Sequence, residues 1–483
     1  MPSNFLTEYR NRLSNFHTEF AEQRFQILTE QRGELEYLFS EFSDLWSHSS
    51  MQELKRELDE AKYENDRAGI KLLYQFAVNK NIYSRVRELE AETKETISRS
   101  KIRWEGESIS FKTARKLLDK NLPRHQRLEL VSRRNDVIKV GNDLRAERLE
   151  KIHEAVTDAD HYTALQQNLS AINYENLVAQ VENFLRLTQV KYVNALASAL
   201  EIRLDEATEA DLFSLQDFGA DNEYFPAWKM VNVYRETMSN LGIFTYQQNN
   251  VSLHEATTFD HLALEIPGDI KIIFEAADGI QNYQKFFNEA AHAQQFAWTS
   301  RQIFPEFQRL GDAATREAFA LLFDSLIEDE KWLSDNLRFH DNIDFRRRAA
   351  LQKLLQLRRY AAKLQYEVEL HSNKIPSSAG LRYVELLSEA VRVRYDETAH
   401  LRDVSEAFYA GDFLRANAFA SQLREQLKTK FGSRWWTSHK AGDYLIDLWN
   451  TGGRYRIEEL AKMIDLGDLS YDWLAEESVR NLA

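Results

Sequence analysis

The sequence predicts a mainly α-helical protein, and three observations lead to that prediction. Glycine and proline number only 16 and 6 among 483 residues, too few turn-formers for the many short strands of an all-β fold. Hydrophobic residues make up 43% of the chain, which is enough for a large buried core. Near the N-terminus Tyr9, Leu13 and Phe16 recur at spacings of four and three residues, which is the period of one helix face.

Two stretches break the helical period and are predicted to form strands. In the first, Ile102 and Trp104 alternate with polar residues before a Glu-Gly turn, and Ile109 and Phe111 alternate after it. This pattern predicts a short hairpin.

The second stretch predicts strands at residues 262–266 and 270–274, on either side of a Pro-Gly turn. Ile270, Ile272 and Phe274 alternate with the residues between them, as in a strand with one buried face. We expect the two strands to form a small antiparallel sheet that lies on a helix. The outer edge of 270–274 would then be free to pair with an extended peptide, and a purely structural hairpin is the alternative interpretation.

The overall charge argues against a protein that binds nucleic acid. The formal net charge is −14, and a nucleic-acid-binding protein of this acidity needs a concentrated basic patch. The nearest candidate lies within residues 346–363 and also carries an apolar stripe of leucines, so we interpret it as a solvated helix face. Its basic residues are Arg346, Arg347, Arg348, Lys353, Arg358, Arg359 and Lys363.

Two absences narrow the possible functions further. The chain has no cysteine, which excludes disulfide frameworks, cysteine-based zinc sites and a cysteine nucleophile. The N-terminal residues lack the pattern of a signal peptide, and no apolar run is long enough to cross a bilayer. We therefore expect a soluble protein that resides in the cytoplasm and does not bind membranes.

The segment most suggestive of chemistry reads Asn288-Glu289-x-x-His292, on a helix for which Asp278 is the predicted N-cap. Residues four apart share a helix face, so Asn288 and His292 would face one site with Glu289 beside them. Zinc peptidases use this spacing as His-Glu-x-x-His, in which two imidazoles hold the metal and the Glu activates a water. The alternative interpretation is an ordinary polar helix face.

A later carboxylate favours the metal-site interpretation. Glu317 follows His292 on a second helix that is predicted to start near Asp312. The order of a strand, a short loop, the motif helix and a Glu on another helix resembles the thimet oligopeptidase and oligoendopeptidase F family of zinc metallopeptidases. The similar segments are 270–274 with 288–292, 315–326, and 408–415, and the resemblance is strongest from about 250 to 450.

The resemblance implies a role for each residue of the motif. His292 and Glu317 would be zinc ligands, and Glu289 would be the general base. Asn288 occupies the place of the other imidazole. Asp324, two turns beyond Glu317, would support that ligand by hydrogen bonding.

A tyrosine hydroxyl normally stabilises the oxyanion in this family. The position that corresponds to it here is Phe413, which has no hydroxyl. Tyr409 lies one turn earlier and is the candidate to replace it as a catalytic residue.

The resemblance also implies the organisation of the chain. Two helical halves would flank a deep groove, with the small antiparallel sheet beside the motif helix. We assign the N-terminal long-helix half to 1–235 and the metallopeptidase-like half to 236–483. The strand 270–274 would form the edge of the groove, so Ile270, Ile272 and Phe274 are the predicted substrate-binding residues.

The substitutions at 288 and 413 bear directly on function. An asparagine is a weak zinc ligand compared with a histidine, and loss of an oxyanion donor lowers the rate by about 10²–10³. We therefore predict a degenerate relative that binds extended peptides, or another extended ligand, without efficient hydrolysis, and that holds zinc weakly or not at all.

Two alternatives remain open at this point. The protein could be an active oligopeptidase that hydrolyses short peptides with an atypical metal site, or a helical scaffold without catalysis. His254 or His261 would restore a three-ligand site if its imidazole reached His292 and Glu317.

Overall fold

The structure, a computed structural model, describes residues 3–120, 122–376 and 379–482. Helices dominate it, so the prediction of a mainly α fold is confirmed. The helices of the first half of the chain are α1 (Asn4–Glu30), α2 (Glu36–Glu41), α3 (His48–Glu60), α4 (Glu64–Arg99), α5 (Phe111–Leu118), α6 (Arg124–Val140), α7 (Asn142–Glu154), α8 (Tyr162–Ser170), α9 (Tyr174–Leu200) and α10 (Ala227–Asn240).

The second half of the chain continues the helical pattern and contains the longest helix after α4, which is α15. Its helices are α11 (Ile280–Trp298), α12 (Pro305–Arg309), α13 (Ala313–Asp324), α14 (Glu330–Trp332), α15 (Ile343–His371), α16 (Gly380–Val391), α17 (Tyr409–Phe431), α18 (His439–Asn450), α19 (Ile457–Met463) and α20 (Tyr471–Asn481). No helix among the described residues combines the length and the apolar character needed to cross a lipid bilayer.

The strands form two small sheets. They are β1 (Lys101–Trp104), β2 (Glu107–Ser110), β3 (Val251–Glu255), β4 (Asp260–Glu265) and β5 (Asp269–Phe274). The first two pair antiparallel, with Ile102 opposite Ile109, as the sequence predicts. Phe111, which the sequence places in this hairpin, instead begins α5.

The chain divides into two compact units, each built from separated stretches of sequence. The first contains the residues up to Asn81, Ala220–Ile343 and Arg415–Ser470, and the second contains Ile82–Gly219, Asp344–Leu414 and the residues from Tyr471. The boundary assigned from the sequence at 235 falls inside the first unit.

The sheet of the first unit corrects one prediction. Strands β4 and β5 pair antiparallel as expected, but β3 pairs parallel with the other side of β5, giving the order β3-β5-β4. The strand that carries Ile270, Ile272 and Phe274 is therefore central, and the prediction that it is the free edge is wrong. Its hydrogen-bonding groups face two neighbouring strands, so a peptide cannot pair with it as an added strand.

Both faces of the central strand are covered by helices. Phe274 packs its ring against Phe286 of α11, with 5.3 Å between the ring centroids. On the opposite face, Ile273 packs in an apolar cluster with Ala21 of α1. Because successive residues of a strand point to opposite faces, β5 has buried side chains on both sides and lies between the two helices.

A proline in the central strand should unfold the sheet. We expect Ile273→Pro to lower the free energy of unfolding by about 3 kcal/mol or more, because it removes a ladder hydrogen bond and a fully buried side chain. Urea denaturation measures this loss. The matched control Ile273→Val should cost only about 0.5–1.5 kcal/mol, and equal stability of the two variants would contradict the central position.

Part of the basic stretch in α15 is buried, in contrast to its interpretation as a solvated face. Arg358 is 1% exposed, and its guanidinium donates to the backbone oxygen of Ala390 at 2.7 Å. Arg359 lies 2.5 Å from Asp403, and Lys363 lies 3.9 Å from the same carboxylate. Arg358 and Lys363 are thus buried beside acceptors from other parts of the second unit, whereas the side chain of Arg359 is 31% exposed.

Candidate active site

Helix α11 carries the Asn-Glu-x-x-His motif and follows the central strand after the connecting residues 275–279. Its N-cap is Gly279, whose φ of +106° is a conformation that residues with a side chain rarely adopt. Asp278 is therefore not the N-cap that the sequence predicts. Its carboxylate accepts from the backbone N–H of Ala227 at 2.7 Å and thereby caps the start of α10 instead.

Helix α13 brings the later carboxylate to the motif. The helix starts beside Asp312, as predicted, and Asp312 is its N-cap, accepting from the backbone N–H of Ala314 at 3.1 Å. Five positions further along, Glu317 places Oε2 at 3.8 Å from Nε2 of His292. The structure therefore brings these two predicted ligands together, at a separation longer than a direct hydrogen bond.

His292 is a buried, neutral imidazole. It is only 8% exposed, and its Nδ1 makes no hydrogen bond among the described residues. Burial, together with the charges of His261 and Arg316, holds the pKa of His292 well below its ordinary value. A neutral imidazole is the form that binds a metal ion.

His261 of β4 occupies the space beside His292. It lies opposite Ile272 in the strand register, which places it on the face of the sheet that packs on α11. Its ring stacks on that of His292, with centroids 4.5 Å apart and planes at 22°. Its Nδ1 lies 2.5 Å from Oε2 of Glu289, so the predicted general base has a direct partner.

His254, the other candidate for restoring the site, lies elsewhere. It is on β3, where its Nε2 is 2.9 Å from the hydroxyl of Ser252. Its ring contacts that of Phe25 of α1 edge-on, with centroids 4.8 Å apart.

The predicted ligand set fits a catalytic zinc ion poorly. Catalytic zinc sites use three good protein donors, whereas Asn288 offers a neutral amide and only His292 and Glu317 are typical ligands. A different set of donors lies nearby: the ligand atoms of Asp260, His261 and Glu289 are all within 4.8 Å of one another.

The contacts of Asp260 and Arg24 were not apparent from the sequence. The guanidinium of Arg24, in α1, lies 2.5 Å from Oδ2 of Asp260. The backbone N–H of His261 donates to Oδ1 of the same carboxylate at 2.8 Å. The proximity of Asp260 and His261 in sequence was the available signal, but only the strand register shows that they meet Glu289.

A small cavity of about 150 Å³ adjoins this cluster. His261, Phe296, His17 and Arg309 contribute to its wall. Burial and the charges of nearby arginines and Lys80 lower the pKa of His17 to about 3, so this imidazole is neutral at physiological pH.

The remaining predicted site residues lie as follows. Asp324 is the last residue of α13. Tyr409 and Phe413 belong to the second unit, at the start of α17. Phe413 is 5% exposed and packs against Tyr360 with 4.6 Å between ring centroids, whereas the Tyr409 side chain is partly exposed.

Comparison with solved structures shows which proteins share this fold. A carboxypeptidase from Pyrococcus furiosus is 12% identical over 100% of both chains, with a TM-score of 0.63. Metallocarboxypeptidase 1 of Trypanosoma cruzi is 12% identical over 99% of both chains, also with a TM-score of 0.63. A protein assigned as an oligoendopeptidase F is 14% identical over 98% of this chain and 90% of that chain, with a TM-score of 0.67.

The comparisons of sequence give no such match. No protein-family model and no curated protein matches the chain. The similarity to solved structures shows that the chain has a metallopeptidase-like fold. At these low identities the similarity concerns the fold alone.

Proposed function

We propose that this protein is a hydrolysis-deficient relative of the peptidases that share its fold, and that it binds extended peptides in the cytoplasm without cleaving them efficiently. One observation carries the proposal. Glu289, at the position of the general base, is in contact with His261 at 2.5 Å, while Asn288 stands where a metal-binding imidazole is needed.

The contact bears on the reaction because a general base must reach the proton that it removes. In a zinc peptidase that proton belongs to a water on the metal. Here Oε2 of Glu289 is held by an imidazole, and the metal-binding set beside it has only two good donors. Both features weaken the attack of water on a peptide bond.

Peptide binding, by contrast, does not require these groups. Since the central strand is paired on both sides, the available strand edges are those of β3 and β4. On β4 the carbonyl groups of Ala263 and Leu264 accept from the side chain of Arg309. We therefore assign the proposed pairing of a peptide to the outer edge of β3.

A second candidate function is an active metal-dependent oligopeptidase with an atypical site. The observation that favours it is the stacking of His261 on His292, because it places a second imidazole near Glu317. This candidate requires Glu289 to leave His261 when a metal ion and a substrate bind.

A peptide library separates the two candidates. With added zinc, we expect hydrolysis near background, and we expect Glu289→Gln to leave it unchanged because Glu289 does not act as a base. Mass spectrometry of the products measures the turnover. Hydrolysis that is clear in the unmodified protein and disappears in Glu289→Gln would overturn the proposal and favour the active peptidase.

The same library tests binding by fluorescence polarisation. We expect a subset of extended peptides to bind at micromolar concentrations. If no peptide binds, the peptide-binding proposal fails and a helical scaffold becomes the better description.

A further inference from the structure

Three side chains from two elements form a compact set of metal donors that differs from the predicted one. Asp260 and His261 come from β4, and Glu289 comes from α11. One ligand atom of each lies within 4.8 Å of the others, and all three residues are partly buried. Two carboxylates and an imidazole are suitable ligands for zinc and similar first-row ions.

The strand register and nearby hydrogen bonds orient two of these donors. The pairing of β4 with β5 places His261 opposite Ile272, toward α11. Both carboxylate oxygens of Asp260 have partners: Oδ1 accepts from the N–H of His261 at 2.8 Å, and Oδ2 lies 2.5 Å from the guanidinium of Arg24. Such outer hydrogen bonds hold a ligating carboxylate in place and raise metal affinity.

The ring that stacks on His261 carries a buried polar atom without a partner. His292 is more than nine-tenths buried and stacks on His261, but its Nδ1 has no hydrogen-bond partner among the described residues. Buried polar atoms are normally paired. A metal-bound water within reach of this atom would supply a polar neighbour that the described residues do not.

We propose that Asp260, His261 and Glu289 bind a divalent transition-metal ion such as zinc, and that Glu289 serves as a ligand to this ion instead of as a base. On binding, the imidazole of His261 is neutral, and any proton shared between His261 and Glu289 is released to solvent. The donor atoms must approach until each is about 2.0–2.2 Å from the ion.

This metal site does not depend on the proposed peptide-binding function, because metal binding is measured without peptide. Zinc is titrated by calorimetry into chelator-treated protein. We expect about one equivalent to bind to the unmodified protein. Asp260→Asn and His261→Gln should each weaken zinc binding by about 10-fold to 100-fold.

His254→Gln is the matched control, since it changes a histidine of β3, on the far side of β5 from β4, that contacts Ser252 instead of Glu289. It should bind zinc like the unmodified protein. Thermal denaturation of each variant without metal establishes that it is folded. The increase in melting temperature on adding zinc should be smaller in Asp260→Asn and unchanged in His254→Gln.

Two results would overturn the proposal. The first is the absence of zinc binding by the unmodified protein. The second is zinc binding that is lost in His292→Ala or Glu317→Gln but unchanged in Asp260→Asn, which would place the ion at the predicted motif instead.

X-ray absorption of the zinc-loaded, unmodified protein gives an independent answer if a variant does not fold. One imidazole with oxygen ligands is expected. Two imidazoles on the ion would require His292 as a ligand and would contradict this donor set.

Discussion

Replacement of Asp312 by alanine should destabilise the protein by about 3–5 kcal/mol, the range for breaking a buried ion pair. Both oxygens of Asp312 bind Arg415, at 3.0 and 2.6 Å, and the arginine side chain is 2% exposed. The same carboxylate accepts from the backbone N–H groups of Ala314 and Ile457. Alanine would therefore remove the helix cap and take one carboxylate partner from a buried guanidinium that also binds Glu458.

Chemical denaturation measures this effect. Asp344→Ala is the matched control, because the Asp344 side chain is 90% exposed and lies 3.7 Å from Arg347. It should change stability by less than about 1 kcal/mol. Equal stability of the two variants would show that the Asp312 network does not support the start of α13.

The stabilisation by Asp312 should also depend on pH. Burial alone would raise the pKa of Asp312, but the guanidinium of Arg415 and the hydrogen bonds hold it below its ordinary value. A depressed pKa means that the stabilisation is complete at neutral pH and is lost as the pH falls below about 4. The difference in stability between Asp312→Asn and the unmodified protein should shrink over that range.

Replacement of Asn288 by histidine should raise zinc affinity on the order of 10³-fold. The new imidazole would join His292 and Glu317, which are 3.8 Å apart, and would complete the three-donor set of a catalytic zinc site. An additional good ligand contributes several kcal/mol to a site whose total is about 10–16 kcal/mol, and every 1.4 kcal/mol corresponds to a factor of ten in affinity.

Competition with a chelating dye measures the gain. Asn288→Ala controls for the loss of the amide and should show no increase in affinity. Addition of Glu317→Gln to Asn288→His should abolish the gain, whereas addition of Asp260→Asn should not. Equal zinc affinity of Asn288→His and the unmodified protein would show that residue 288 does not limit this site.

The helical part of the fold could be predicted because its signals are local. The stripe of Tyr9, Leu13 and Phe16 is buried on α1, and Asp312 caps α13. The position of a strand within a sheet is not local. Three of the residues in Ile270-Lys271-Ile272-Ile273-Phe274 are fully buried and come from both faces, which is typical of an interior strand, but alternation of side chains alone suggested an edge.

The candidate site was likewise predictable where its signals are local. The helix period and the spacing in sequence were sufficient to associate Glu289, His292 and Glu317 with one region. The contact of Glu289 with His261 depends on how β4 is registered against β5, and that pairing follows from packing over the whole sheet. The burial of Arg358 likewise depends on distant carbonyl groups that no local pattern reveals.

The packing of α1 on the sheet has a consequence for synthesis of the chain. The hydroxyl of Thr18 donates to the backbone oxygen of Leu264 across 246 positions of sequence. At a translation rate of about 5–20 residues per second, the ribosome needs roughly 12–50 s to reach the strand after making the helix. During that interval the face of α1 that bears Ala21 and Phe25 lacks the surface that covers it in the folded protein, and molecular chaperones that bind apolar helices are suited to protect it.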